Sequence, residues 1–269
     1  MLNTLMSERK LLLIFFFIII FSFPVFSQGP VFKGEILKYK VMAYGVQIAE
    51  IEVSTQQRFT YKKKPAVRVS ARAEYKKFFD FEASFNTVLD GGDSLYVLFS
   101  GRDVRFLRNA LSSHKFEYEY DSSYFTSESI DLKGNKQTDT MKLKPGTKVW
   151  DPLALFFFAR QNCDTKMAKV ITTHLQGHEF FTTFNFFGRK FKMNIDAVEY
   201  PIRTIHISGQ ADWNEMYLIH GGFNVWVTDD EAKVPVLGTV ETKLGVLTVE
   251  LTEWKRLQWQ PPVFIYFNE

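Results

Sequence analysis

The chain has one cysteine in 269 residues, which excludes an internal disulfide and a cysteine-built zinc site. It has little excess of either charge: 33 Lys and Arg stand against 30 Asp and Glu, a net charge of +3. That balance leaves no electrostatic footprint for nucleic acid. Beyond the N-terminus there is no long apolar run, so residues 28–269 are expected to hold no membrane-spanning helix. No Walker or dinucleotide-binding glycine motif occurs, and no nucleophile elbow surrounds Ser94, Ser112 or Ser113. What is present is apolar and aromatic: 46% of residues are hydrophobic, 16% aromatic, and 28 are Phe. Such a chain can bury a full core without crosslinks.

The N-terminus reads as an address. Arg9 and Lys10 precede an apolar run from Leu11 to Phe21, Pro24 breaks it, and Val25-Phe26-Ser27 ends on a small residue. This is a signal-peptide pattern over residues 1–27, with cleavage near Ser27 and delivery to the periplasm of a Gram-negative bacterium. The run is shorter than the roughly 20 residues a spanning helix needs. An uncleaved N-terminal anchor is the alternative. No cysteine follows the cleavage point, so a lipoprotein anchor is not available. The lone Cys163 is compatible with an oxidising compartment.

Residues 28–269 read as one mainly β domain. Leu37, Tyr39, Val41 and Ala43 alternate with Lys38, Lys40 and Met42. The same period of two recurs around Val67–Ala73, Phe79–Phe85, Phe116–Tyr120, Phe180–Phe186 and Leu247–Leu251. One apolar and one polar face per strand predicts antiparallel pairing, in a single curved sheet or a barrel-like form. Asp90-Gly91-Gly92-Asp93, Lys133-Gly134-Asn135, Lys144-Pro145-Gly146 and His220-Gly221-Gly222 read as turns, and Phe187-Gly188-Arg189 as a short hairpin. One segment departs from the pattern. Asp151-Pro152 is a strong helix start, and Leu153, Phe156, Phe157 and Arg160 share a helical face. A short, mostly buried helix is expected there, with Cys163 at or after its end.

Three ordered segments resemble the bacterial envelope family called domain of unknown function 3108. The first is Gly34-Glu35-Ile36-Leu37-Lys38-Tyr39 with Gly45-Val46-Gln47-Ile48-Ala49 and the strand from Glu50 to Ser54. The second is Asp151-Pro152-Leu153-Ala154-Leu155, running to Arg160. The third is Val225-Trp226-Val227-Thr228-Asp229-Asp230, then Val234-Pro235-Val236, then Gly245 and the strand to Leu251. Ala49 stands where that family's pattern has glycine. The resemblance implies a secreted, all-β envelope protein with no established activity, and it transfers no catalytic residue.

The chemistry-bearing residues point away from an enzyme. His174, His178 and Glu179 could share a helical face and hold a metal, but the β-type residues around them favour a strand end and a hairpin. Asp229, Asp230 and Glu231 could serve a glycan hydrolase as a carboxylate pair. Adjacent strand residues point to opposite faces, however, and a polar turn explains all three. Lys62-Lys63-Lys64 falls short of a lipid-headgroup cluster and reads as a solvated hairpin tip. Cys163 reads as a small buried hydrophobe. No metal or cofactor is expected.

The aromatic excess remains. Neighbours such as Phe78-Phe79, Phe180-Phe181 and Phe186-Phe187 place Phe on both faces of strands. An ordinary core is one reading. The other is a barrel whose apolar interior holds a lipid-like ligand, lined by Phe81, Phe85, Phe156, Phe157, Phe184, Phe186 and Trp226. A non-enzymatic carrier of an apolar small molecule is therefore the expected function. An envelope scaffold that binds a partner protein through an exposed edge strand is the alternative.

Overall fold

The structure, a computed structural model, describes residues 31–75, 81–106, 110–213, 219–243 and 245–265. Residues 1–27, read above as a signal peptide, and Phe78-Phe79 lie outside the described residues. The first half of the chain forms β1 (Ile36–Ala43), β2 (Val46–Tyr61), β3 (Lys64–Tyr75), β4 (Phe81–Asp90), β5 (Val97–Phe106), β6 (Ala110–Glu119), β7 (Tyr124–Ile130) and β8 (Lys136–Lys142). A helix, α1 (Pro152–Asn162), follows. The second half forms β9 (Met167–Leu175), β10 (His178–Met193), β11 (Ile202–Trp213), β12 (Ile219–Thr228), β13 (Pro235–Thr242) and β14 (Gly245–Lys255).

All fourteen strands belong to one antiparallel sheet. Each half is an up-and-down meander, and β14 pairs with β1 to join the halves. The edges are β8 and β9, which do not pair, so the sheet stops short of closure. The gap is bridged by side chains and by the segment entering α1. Trp150 N–H donates to the Thr172 carbonyl at 3.1 Å, and His174 N–H donates to the Trp150 carbonyl at 2.8 Å. The Tyr118 hydroxyl on β6 meets His174 Nδ1 on β9 at 2.7 Å.

The alternation does what the sequence asks. On β1, Leu37, Tyr39 and Val41 are buried, while Lys38 and Lys40 reach Glu253 and Asp196 at 2.6 and 2.5 Å. α1 starts as expected: the Asp151 carboxylate accepts from Ala154 N–H at 2.8 Å, and Pro152 takes the first turn. The helix departs from the expectation of one apolar face. Leu153, Ala154 and Phe157 enter a core with β1–β7, while Leu155, Phe158, Ala159 and Cys163 enter a second core with β9–β12. A helix apolar on nearly every side is stable only when wrapped, and the curled sheet wraps this one. Among the described residues, no helix is long and apolar enough to cross a membrane.

Two expected turns are corrected. β10 runs unbroken through Phe187-Gly188-Arg189, and β12 runs through His220-Gly221-Gly222. Both sites are bulges. Phe186 pairs with Ile207 and Lys190 with Ile205, so three residues of β10 oppose one of β11. Gly188 takes φ +62°, which a bulge needs as much as a turn does. At the second site, Gly222 N–H donates to the Glu241 carboxylate of β13 at 2.8 Å. A Cβ on Gly221 would lie 2.3 Å from that carboxylate.

Candidate functional site

A cleft of about 290 Å³, open to solvent, lies between α1 and the inner face of the sheet. Leu155 and Phe156 of α1 form one wall, Tyr39 and Val53 of β1 and β2 a second, and Phe184, Trp213 and Phe223 of β10–β12 a third. The cleft exists because small residues face it where large ones would fill it: Ala159, Ala211 and Gly238. Gly238 pairs with Val225 and Val249, which also line the cleft, so its missing side chain points inward. A Cβ there would meet only the Asn224 carbonyl oxygen at 3.5 Å and Val225 Cγ2 at 4.0 Å. Gly209 is the contrasting case. Its space is already taken, since a Cβ would lie 2.1 Å from Phe223 Cζ and 2.2 Å from the Thr183 carbonyl oxygen. The Phe223 ring lies over that glycine and shapes the wall.

The polar groups around the cleft are spent on each other. The Thr182 hydroxyl meets the Thr173 hydroxyl at 2.7 Å and accepts from Trp213 Nε1 at 3.3 Å. The Tyr39 hydroxyl donates to the Pro235 carbonyl at 3.1 Å, and burial pushes its pKa far above the usual phenol range. No acid, base or imidazole lines the cleft among the described residues. Such a surface is suited to apolar contact.

The residues named from sequence are dispersed. Phe156 and Phe184 line the cleft. Phe157 is fully buried in the larger core, edge-on to Phe156. Phe186 is buried in the second core and stacks on Phe184 with ring centroids 5.7 Å apart. Phe81 packs edge-on against Tyr75 at 5.1 Å, and Trp226 lies against His206 at 5.1 Å. Phe85 borders a separate void of about 30 Å³ beside Asp151, Ser100 and His174. Sequence reading missed Tyr39, Ala211, Trp213, Phe223 and Gly238. The inward alternation of Phe223, Val225 and Val227 was the available signal.

Two buried polar groupings hold α1 against the sheet. At its start, Asp151 accepts from the Thr87 hydroxyl at 2.5 Å and the Ser100 hydroxyl at 2.7 Å. Burial raises its pKa, against the pull of those hydrogen bonds. Asp151→Ala is expected to cost about 2 kcal/mol, from a lost cap and two buried hydroxyls left without their acceptor. Asp151→Asn, which still caps, is expected to cost less; urea denaturation of both variants checks the difference. Near the end of α1, Arg160 donates to Glu35 twice, at 2.7 and 2.9 Å, and to the Lys233 and Ala232 carbonyls at 2.9 Å each. Arg256 also bonds Glu35, and all three side chains are buried.

The remaining candidates are structural. Asp229 pairs with Lys190 at 2.9 Å and Arg203 at 3.1 Å. Asp230 caps its own turn, accepting from Ala232 and Lys233 N–H at 3.1 Å, and accepts from Trp259 Nε1 at 2.7 Å. His174 and His178 sit on opposite arms of the β9–β10 hairpin. Lys62 and Lys63 form the β2–β3 tip, where Lys62 pairs with Glu117 at 2.9 Å and also reaches Glu119. Burial pushes the Cys163 thiol up to about 12, the value of an inert core cysteine.

One open antiparallel sheet, rolled around a buried helix, defines a β-barrel-like protein. A family model described as a protein of unknown function, DUF3108, matches residues 38–252, and the chain belongs to that family. No curated protein matches it. Among solved structures it is similar to a β-barrel-like protein of a domain of unknown function, DUF1849, from Brucella abortus. The TM-score is 0.53 and the identity 10%, over 83% of this chain and 97% of that one. A Bacteroides fragilis protein of YmcC-like fold, described as exported, matches with a TM-score of 0.39 and 10% identity, over 85% of this chain and 98% of the other. The first likeness supports the fold alone.

Proposed function

We propose that this is an exported, periplasmic, non-enzymatic protein that binds an apolar, lipid-like molecule in the cleft between α1 and the sheet. The observation that carries the reading is an open apolar cleft whose room comes from Gly238, Ala211 and Ala159. Its volume approaches the range of about 300–1,000 Å³ typical of ligand sites. The basic and apolar N-terminal segment supports export. Native mass spectrometry tests the reading on the chain expressed whole and recovered from a Gram-negative envelope. A bound lipid-sized mass that leaves on activation is expected, and Gly238→Phe is expected to remove it while near-UV circular dichroism stays native. A wild-type chain that carries no such mass and takes up no supplied fatty acid would sink the reading.

A second reading rests on a different surface. Val170 on edge strand β9, with Phe181, Phe187 and Phe191 on β10, exposes apolar side chains beside an edge that the Trp150 backbone meets at Thr172 and His174. A partner chain could add a strand there, as an envelope scaffold would require. Co-purification of one stoichiometric protein, lost in Val170→Lys with Phe181→Lys, would favour it.

A further inference from the structure

The geometry points to a narrower ligand for the same cleft: the single hydrocarbon tail of an amphiphile, inserted tail-first, with its polar head left at the mouth. The inference rests on the cleft being a ligand site and says what kind.

Size comes first. A cavity of about 150 Å³ takes one benzene, so about 290 Å³ takes roughly a dozen carbon atoms. That is one chain, not two. Polar accounting comes second. No charged side chain or imidazole lines the cleft among the described residues. The Thr182 and Tyr39 hydroxyls and the Trp213 indole N–H already have partners, and the Asn224 amide is held by His206 and donates to the Thr239 hydroxyl. A carboxylate, phosphate or sugar drawn inside would lose its water and find no replacement, so the head stays out. The protein therefore reads the length of the tail and is indifferent to the head. Gly238 sets how much tail is taken, because its strand position faces the cleft and an added Cβ would make only ordinary van der Waals contacts there.

The test uses the chain expressed whole, recovered from the envelope fraction, stripped of bound lipid and titrated calorimetrically below micelle-forming concentrations. The probes are octanoate, dodecanoate, octadecanoate, dodecyl maltoside and didodecanoyl phosphatidylcholine. One tail per chain is expected. Affinity should rise about fourfold per methylene from octanoate until the cleft is full, with little further gain at octadecanoate. Dodecyl maltoside should bind as tightly as dodecanoate. Gly238→Leu should weaken dodecanoate about tenfold or more and barely touch octanoate. The wild-type comparisons decide the matter even if that variant folds poorly. A head preference of tenfold or more, a steady gain through octadecanoate, or tighter binding of the two-chain lipid would overturn this inference and leave the ligand site standing. If the folded wild type binds no tail at all, both fall together.

Discussion

Glu35→Ala is expected to lower the melting temperature by about 10 °C. The carboxylate is the shared anion of two fully buried guanidinium groups, Arg160 and Arg256. Removing one partner of a buried pair costs about 3–5 kcal/mol, because the remaining charge is stranded in a poorly polarisable interior. For a domain of this size each kcal/mol is worth about 2–4 °C. The pairing itself need not be the stabilising element. Replacing the whole cluster, with Glu35→Leu, Arg160→Met and Arg256→Met, is expected to recover much of the loss. What the cluster provides is position: it ties the last turn of α1 to the residue preceding β1 and to the β12–β13 turn. Thermal melts of the single and triple variants separate these contributions. A single variant that melts within about 2 °C of wild type would mean the charges are not buried together in solution.

The protein is also expected to lose about 3 kcal/mol of stability on acidification, through His174 alone. Burial pulls its pKa down to about 4, opposed by the charge of Glu179 and helped by His178. The unfolded chain protonates this imidazole near the ordinary value of about 6.5. A folded pKa below the unfolded one makes the contribution fully present above about 6.5 and lost as pH falls through about 4. The neutral ring sits among Phe116, Tyr118 and Phe125, with Nδ1 on the Tyr118 hydroxyl, an apolar setting that the charge of Glu179, its cross-strand neighbour, offsets only in part. His174→Gln removes the titration and can keep the Tyr118 bond. The difference between wild type and variant, measured by denaturant unfolding from pH 7 to pH 4, cancels the other acid-sensitive groups. Parallel pH curves for the two proteins would refute the assignment.

Most of the sheet was legible because its physics is local. Leu37, Tyr39 and Val41 alternate with Lys38 and Lys40, and one wet face is enough to explain that. The start of α1 was equally local, written in Asp151-Pro152. The two bulges were not legible. A glycine at positive φ serves a turn and a bulge alike, and the choice lies with the partner strand. Phe184–Phe186 and Lys190–Met193 both pair with β11, which no window around Gly188 reveals. The cleft was half legible. Phe abundance marks where space is filled, as Phe157 and Phe186 show, whereas a cleft lies where filling is absent. Its signal was Gly238 and Ala211 on inward positions, which needs the register to read. The Glu35 cluster joins residues 125 and 221 positions apart, beyond any sequence pattern.

The pairing of β1 with β14 has a consequence for how the chain acquires its fold. Within each meander, every strand pairs with its neighbour in sequence, so hairpins can form as soon as both arms exist. The seam between the meanders is different. Lys38 and Glu253 meet across 215 residues, so the contact waits for the last strand. Contacts of such separation carry the largest loop-closure cost and come late. Until β14 arrives, β1 presents eight residues of backbone with one side unpaired. Synthesised before the other strands, β1 thus holds a sticky edge open longest. The lysines at 38 and 40, alternating along that edge, are the kind of residue that discourages the wrong partner in the interval.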